Sequence, residues 1–408
     1  MQIAFIHPRF PSAQGTGATY SATQIVKGLA NRGHEICVYC TQSPDENSKM
    51  PGIETQYLNG NSRHLHTDTR LNREIKSRID EFREYDIVHS YLMPLIPSIA
   101  EIGKFPGVGT VVTLNAYKGI CAKNDLLYRN QQNCRSKSIS KCINCIIRTG
   151  YKNNENGYLY QTASQLLSLP LICSGEHDLD YIDGFHALST HLKNIYTEFG
   201  YQDGKIDVIP NILDSKFDVN HQSNFNEPYK LLYVGYLKQS KGADRLIEIF
   251  SYIRKKSSKD IKLTIIGDGD LINKLETQII DRNLSEDVDL RGRVPNRELP
   301  QIYANHDIFV YPGRWDEPFG RIFLEAMAAG TPIVSTDVGS VQNIIGNSGI
   351  CTGQSSRMLA DAIFSVLNED TLNKYSEAGK QRIDRYRVDK IIPQFETLYA
   401  RAISRSRK

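Results

Sequence analysis

The chain has no apolar run approaching ~18 residues, so nothing in it reads as a helix that crosses a bilayer. Net charge is also scarce: 49 basic against 46 acidic side chains leave +3, too little to point to nucleic acid as a partner. The opening Met1-Gln-Ile-Ala-Phe-Ile lacks the charged and apolar regions of a secretory signal and runs straight into a strand. A cytoplasmic location is therefore expected. In that compartment the eight cysteines are not expected to pair as disulfides. Cys37 and Cys40 do form a C-x-x-C, but inside the strand-like Ile36–Cys40. Positions three apart on a strand face opposite sides, so this pair reads as core.

What remains is ordinary globular composition, 40% hydrophobic and 23% charged, over 408 residues, enough for two domains. Strand Ile3–Ile6, a loop His7–Gly17 containing Gly15 and Gly17, a helix through Leu29 and strand Ile36–Tyr39 make a βαβ opening. In a doubly wound sheet ligands sit outside the carboxyl ends of such strands. A charged helix is expected near Leu71–Tyr85, then strand Ile87-Val88 ending at His89, strand Val111–Leu114 ending at Asn115, and strands around Leu171–Cys173, Phe185–Leu188 and Val208-Ile209. His89 reads either as a functional group at a strand end or as a satisfied histidine in the crevice wall.

Two turn-rich clusters, Pro210–Asp214 and Asp218–Pro228, read as a linker. The alternation then restarts with strand Tyr229–Gly235, a helix over Ala243–Arg254 with Leu246, Ile249, Phe250 and Ile253 on one stripe, and strand Ile261–Gly267. The expected fold is α/β, with two Rossmann-like doubly wound domains, 1–212 and 213–385, facing each other across a cleft. Residues 386–408 are expected to form a helix packing back toward the first domain through Ile391, Ile392, Phe395, Leu398 and Tyr399.

The most informative stretch is Tyr311–Gly339. The strand Asp307–Tyr311 is followed by a polar loop and then Pro318, a favoured first helical residue because its missing N–H had no partner there. Gly330 and Thr331-Pro332 end the helix, and strand Ile333–Ser335 follows. The unit carries two carboxylates, Glu317 and Glu325. Free N–H groups at a helix start suit a phosphate, and carboxylates accept hydrogen bonds from sugar hydroxyls. The pairing points to a nucleotide-sugar pocket.

Together these features resemble the retaining glycosyltransferases of family 4, on the GT-B fold. Glu317-Pro-Phe-Gly320 and Glu325 match the family's E-x7-E element, which implies Glu317 against the donor sugar and Glu325 on the ribose hydroxyls. Gly235 and Lys241-Gly242 match its G-R-L-x-x-x-K-G element, with the lysine on the diphosphate. Gly15 and Gly17 match the amino-terminal glycine loop, and Asp307 the aspartate before the motif strand. The resemblance implies a nucleotide diphosphate sugar as donor and a glycan or lipid-linked acceptor. Its implied donor-binding set is Gly15, Gly17, Gly235, Lys241, Pro318, Phe319, Gly320, Arg321 and Glu325. Glu317, Lys241 and His89 are the implied catalytic residues, and Asn115 lies on the acceptor side. Retention, by front-face attack with the leaving phosphate taking the acceptor's proton, is implied as well.

Four positions depart from the pattern. Tyr236 replaces an arginine at the phosphate site, where Arg314, Arg321 or Lys238 are candidates to compensate. Asn115 replaces a histidine and cannot take a proton. Ser340 and Asn343 replace the usual glycine and glutamate. Two other readings stay open: another GT-B enzyme, a phosphorylase or a sugar-nucleotide epimerase, and a non-catalytic nucleotide-sugar-binding subunit.

No metal is expected in catalysis, since Asp268-Gly-Asp270 reads as a turn and helix cap. The loop 121–145 is a separate matter. Cys121, Cys134, Cys142 and Cys145, the last two a C-x-x-C in a turn-rich stretch, suit a structural zinc ahead of an iron–sulfur cluster, with free thiols as the alternative. The same region carries Arg129, Arg135, Lys137, Lys141, Arg148 and Lys152 interspersed with Ile143, Ile146 and Ile147. That mixture suits peripheral contact with an anionic membrane or a lipid-diphosphate acceptor, or else a plain solvated loop.

Overall fold

The computed structural model describes residues 1–10, 17–41, 52–58, 67–129, 132–149 and 158–407. The chain divides into two compact units, Met1–Ile212 with Ile391–Lys408, and Leu213–Lys390.

The first unit is built on a parallel sheet whose strands are β1 Gln2–Ile6, β2 Glu35–Cys40, β3 Ile53–Tyr57, β4 Ile87–Ser90, β5 Gly109–Leu114, β8 Gly184–Ala187 and β9 Ile206–Val208, in the order β3-β2-β1-β4-β5-β8-β9. Two short antiparallel strands, β6 Leu127–Tyr128 and β7 Gln132–Asn133, form a separate hairpin. Every residue of β4, β5 and β8 is buried, while β3 at the edge is largely exposed. That is the pattern of a parallel sheet covered by helices on both faces. β3 has no clear hydrophobic alternation and is not legible as a strand in the sequence. Leu171–Cys173, expected as a strand, lies inside the helix Tyr158–Asp178. A short apolar run carries no period that separates a buried strand from a buried helix turn.

The carboxy-terminal helix Val388–Ser406 belongs to this first unit. Its Ile391, Ile392, Phe395, Leu398, Tyr399 and Ala402 share one core with Ile3, Phe5, Ile87 and Val111 of the sheet. It is tied in by a buried chain of hydrogen bonds in which His89 is the second link. The Tyr399 hydroxyl lies 2.7 Å from His89 Nδ1, and His89 Nε2 lies 2.7 Å from Thr113 Oγ1. Thr113 Oγ1 lies 3.0 Å from His186 Nδ1, and His186 Nε2 lies 2.8 Å from the Ile209 carbonyl. The carbonyl can only accept, so His186 Nε2 donates. With both imidazoles neutral, every other link then has a fixed direction: Tyr399 donates to His89, His89 to Thr113, and Thr113 to His186. His89 is fully enclosed. The expectation that it is catalytic is corrected: both ring nitrogens are committed and no solvent reaches them.

The second unit repeats the plan. Its strands are β10 Tyr229–Val234, β11 Ile261–Ile266, β12 Val288–Gly292, β13 Ile308–Tyr311, β14 Ile333–Thr336 and β15 Gly349–Thr352, all parallel, in the order β12-β11-β10-β13-β14-β15. Leu246, Ile249, Phe250 and Ile253, the stripe read from the sequence, are all buried in its core. Both sheets reverse strand order once, at β1/β4 and at β10/β13. In open α/β sheets that switch point is where the loops splay apart and leave room for a ligand.

Two measurements test the histidine chain. His89→Ala strands two buried hydroxyls and should lower unfolding free energy by about 2–4 kcal/mol, while activity per folded molecule persists. Burial holds the His186 imidazole down at about 4, against an ordinary 6.5, and holds His89 well below its ordinary value. A depressed folded value means that the unfolded chain takes up the proton first. Melting temperature should therefore be insensitive to these groups above pH 6.5 and fall as pH drops from there toward 4.

Candidate active site

The loops that leave β10 and β13 at the switch point of the second unit carry the two groups expected to work on a donor, and they meet. Lys241 Nζ lies 2.5 Å from Glu317 Oε2. The Tyr311 hydroxyl donates to the same oxygen at 2.6 Å. Lys241 Nζ also stands 4.5 Å from the centre of the Trp315 ring and 5.9 Å from that of Tyr311, so aromatic faces flank its charge. Glu317 is buried, and a buried carboxylate needs such partners.

The backbone around this cluster is held from several sides. Gly242, next to Lys241, has φ of 73°, and a Cβ there would fall 1.7 Å from the Pro312 carbonyl, so only glycine lets the two loops touch. The buried Arg245 guanidinium donates to the carbonyls of Pro312 and Gln354, with Gly313 at 3.3 Å. Burial, reinforced by Arg314 nearby, draws its pKa down to about 10, where it stays charged at neutral pH. The Ser340 hydroxyl, fully buried, donates to the carbonyls of Glu317 at 2.9 Å and Phe319 at 3.3 Å. Ser340 thus fixes the stretch on which Glu317 rides.

Pro318 is not the first helical residue. The helix begins at Arg321 and runs to Ala328, after Gly320 takes φ of 82°. A residue in that left-handed conformation cannot lie inside a right-handed helix, so Glu317-Pro318-Phe319 stays outside it as an irregular lead-in with a bend at Pro318. Glu325, one turn into the helix, is away from Glu317 and accepts from the Tyr303 hydroxyl at 3.3 Å. Burial raises its carboxyl above the usual range, and the positive charge of Arg321 opposes that shift. Gly235 follows β10, its N–H bonded to the Ile266 carbonyl at 3.0 Å.

The candidates to replace the arginine lost at Tyr236 are otherwise engaged. Arg314 pairs with Asp244 at 2.5 Å, and Lys238 stands 5.8 Å from the ring of the exposed Tyr236. Asp307 is buried, accepting from Ser223 Oγ and, at 2.6 Å, from the Lys230 amide, so it fastens the entry of β10 beside β13. Asp268 caps Gly269 N at 2.7 Å, consistent with a turn.

In the first unit, Gly17 opens the helix Gly17–Ala30, and Gly15 lies outside the described residues. Asn115 follows β5, and its amide donates to the Tyr91 carbonyl at 3.3 Å. Sequence reasoning missed the parts played by Tyr311, Trp315 and Arg245, and it noted Ser340 only as a departure from the motif. The one available signal was position: each sits on a loop that leaves a switch-point strand, or beside one.

Residues 214–382 match the family described as glycosyl transferases group 1. The second unit is a group 1 glycosyl transferase domain. Over nearly its whole length the chain is also similar to an uncharacterized glycosyltransferase of Methanocaldococcus jannaschii, 25% identical over 367 residues that cover 86% of this chain and 97% of the relative. Sucrose-phosphate synthase from Thermosynechococcus elongatus shares the fold at a TM-score of 0.73 and 16% identity, covering 99% of both chains. An Anabaena protein, HepE, solved in complex with UDP, matches at a TM-score of 0.70 and 18% identity, covering 98% of this chain and 100% of that one. The chain is a glycosyltransferase of GT-B fold, as its motifs implied.

In this glycosyltransferase Tyr311→Phe keeps the ring and removes one hydrogen bond to a charged group. We expect kcat/KM to fall about 10- to 100-fold with little change in melting temperature, measured by steady-state kinetics beside a thermal scan.

Proposed function

We propose that the enzyme moves a sugar from a nucleotide diphosphate donor to a glycan or lipid-linked acceptor with retention of configuration. The observation that carries this reading is the Lys241–Glu317 contact at 2.5 Å, made at a sheet switch point and shared with the Tyr311 hydroxyl. In glycosyl transfer positive charge grows at the anomeric carbon and negative charge on the departing phosphate. Fixed groups of opposite sign at each place are usually the largest catalytic term. Lys241 serves the phosphate and Glu317 the sugar.

Lys241 and Glu317 neutralise each other, and an arriving diphosphate competes for Lys241. As the ammonium turns toward phosphate, the Glu317 carboxylate is left with Tyr311 and becomes available to sugar hydroxyls and to the oxocarbenium-like charge. Glu325 takes the ribose hydroxyls, and the amides of Phe319 and Gly320 add donors to the phosphate. The UDP in the HepE structure supports a nucleotide donor. Retention follows the family resemblance, with the departing phosphate oxygen taking the acceptor's proton.

A second observation bears on the acceptor. On the helix Ile139–Thr149, Ile139 and Ile147 are 59% and 50% exposed, and on the helix Tyr158–Asp178 Leu159 is 79% exposed. Lys137, Lys141 and Arg148 lie on or beside the first of these helices. Exposed aliphatic side chains beside cations suit an anionic membrane surface, and hence a lipid-linked acceptor. Among the described residues no helix is long and apolar enough to cross a membrane.

Glu317→Gln keeps shape and hydrogen bonding but removes the charge, so kcat should drop about 100- to 1000-fold while donor affinity changes little. Lys241→Ala should weaken donor binding itself, read by calorimetry. Cellular glycan left unchanged by Glu317→Gln favours a binding subunit, and donor turnover or epimerised product without acceptor favours the other GT-B chemistries. Product anomer, followed by NMR, tests retention. Flotation with anionic vesicles should succeed at low salt and weaken as salt rises, and flotation unaffected by salt counts against the basic surface.

A further inference from the structure

The four cysteines of residues 121–145 come from three pieces of chain and line one cavity. Cys121 stands in the turn after Tyr117, Cys134 follows the β6–β7 hairpin, and Cys142 and Cys145 sit one turn apart on the helix Ile139–Thr149, not in the turn-rich segment expected from sequence. Together they bound a space of about 30 Å³, enough for an ion or a water and little more. The sulfurs have partners of both kinds: Cys134 Sγ donates to the Ser136 carbonyl at 3.1 Å, and Cys121 Sγ lies 3.9 Å from Asp125 Oδ1. The Arg129 backbone N–H donates to Cys145 Sγ at 3.2 Å, and Lys123 Nζ lies 3.9 Å from the same atom. The Lys123 side chain is only 8% exposed, and Asp125 lies 3.3 Å from its ammonium. Its ammonium also donates to the Leu127 carbonyl at 2.9 Å, so Lys123 ties the turn at Asp125 to β6 beside the cysteines.

The segment also lacks a core of its own. From 121 to 149 the buried hydrophobic side chains among the described residues are Leu126, Cys145 and Ile146. A piece of chain this poor in buried apolar surface is normally fastened by something besides packing.

We propose that Cys121, Cys134, Cys142 and Cys145 bind one zinc ion that fastens the hairpin to the helix. Four thiolates around Zn2+ carry a net charge of −2, which Lys123 and the Arg129 amide are placed to meet, the amide as a donor to a ligand sulfur. Binding replaces four S–H bonds with four Zn–S bonds and releases up to four protons, with no change of oxidation state. Among the described residues no three His, Cys, Asp or Glu stand together as a ready-made cage. Zinc would have to draw the Cys121 and Cys134 loops onto the helical pair, so metal binding and ordering of this segment are one event.

The test is metal analysis of the full chain purified without a polyhistidine tag or chelator. The expected result is about one zinc per chain, together with the charge-transfer and tetrahedral d–d bands of thiolate-bound cobalt when cobalt is supplied during growth. Cys142→Ser and Cys145→Ser should lose the metal. Should those variants fail to fold, the wild-type cobalt spectrum and zinc release on titration with a mercurial decide without them. Release of zinc should also lower the melting temperature and expose the segment to protease. A chain without stoichiometric metal, iron accompanied by sulfide, or a disulfide among these cysteines would each overturn the proposal. None of these readouts depends on sugar transfer, so failure here leaves the reading of the donor site standing, and the reverse holds.

Discussion

The second unit is organised around the cost of burying one carboxylate. Glu317 sits out of water, where a carboxylate without hydrogen-bonding partners would carry a large desolvation cost. Two side chains from different elements offset it: Lys241 from the loop after β10 and Tyr311 from the end of β13. Each needs its own backbone placed to within a few tenths of an ångström. Gly242 gives that by letting its loop press against Pro312, Arg245 by bridging three carbonyls, and Ser340 by tying Glu317 back from the next strand's loop. Removing any of these leaves the carboxylate in place and loosens its geometry. In a reaction that depends on preorganised charge, loosened geometry is a loss of rate before it is a loss of stability.

The same constraint has the opposite use in the first unit. The chain Tyr399–His89–Thr113–His186 also satisfies buried polar groups, but there both imidazoles and the Thr113 hydroxyl each have a donor and an acceptor partner, and none is left for a ligand. It specifies which way the carboxy-terminal helix lies on the sheet, because a slip of one residue would remove the Tyr399 hydroxyl from its imidazole. Satisfied polar networks give a fold uniqueness. The Glu317 cluster differs in standing on switch-point loops, and on the proposed function its cation exchanges one anionic partner for another.

What could be read from the sequence follows the same division. Parallel strands buried on both faces announce themselves as short β-branched runs, and the restart of the pattern at Tyr229 coincides with β10. Glu317 and Lys241 were legible because their spacing to glycine and proline marks them. His89 was misread because a strand end looks alike whether it faces solvent or a helix from the far end of the chain, and Tyr399 lies 310 positions away. Pro318 misled because proline is as suited to an irregular lead-in as to a first helical turn, and the deciding feature is the positive φ of Gly320. Ser340 was noticed only as a departure. Its role depends on a carbonyl 23 positions earlier, which no local pattern records.

The exchange of arginine for Tyr236 can now be weighed. Arg314 has its charge spent on Asp244 at 2.5 Å, Arg321 acts on Glu325, and Lys238 stands against the Tyr236 ring itself. None of the three is simply a relocated arginine. On the proposed function, a diphosphate at this switch point would rely on Lys241, which is shared with Glu317. A coupling follows from that function: the stronger the hold of phosphate on Lys241, the more completely Glu317 would be released toward the sugar. A donor lacking one phosphate would, on that reading, bind with the ion pair still closed.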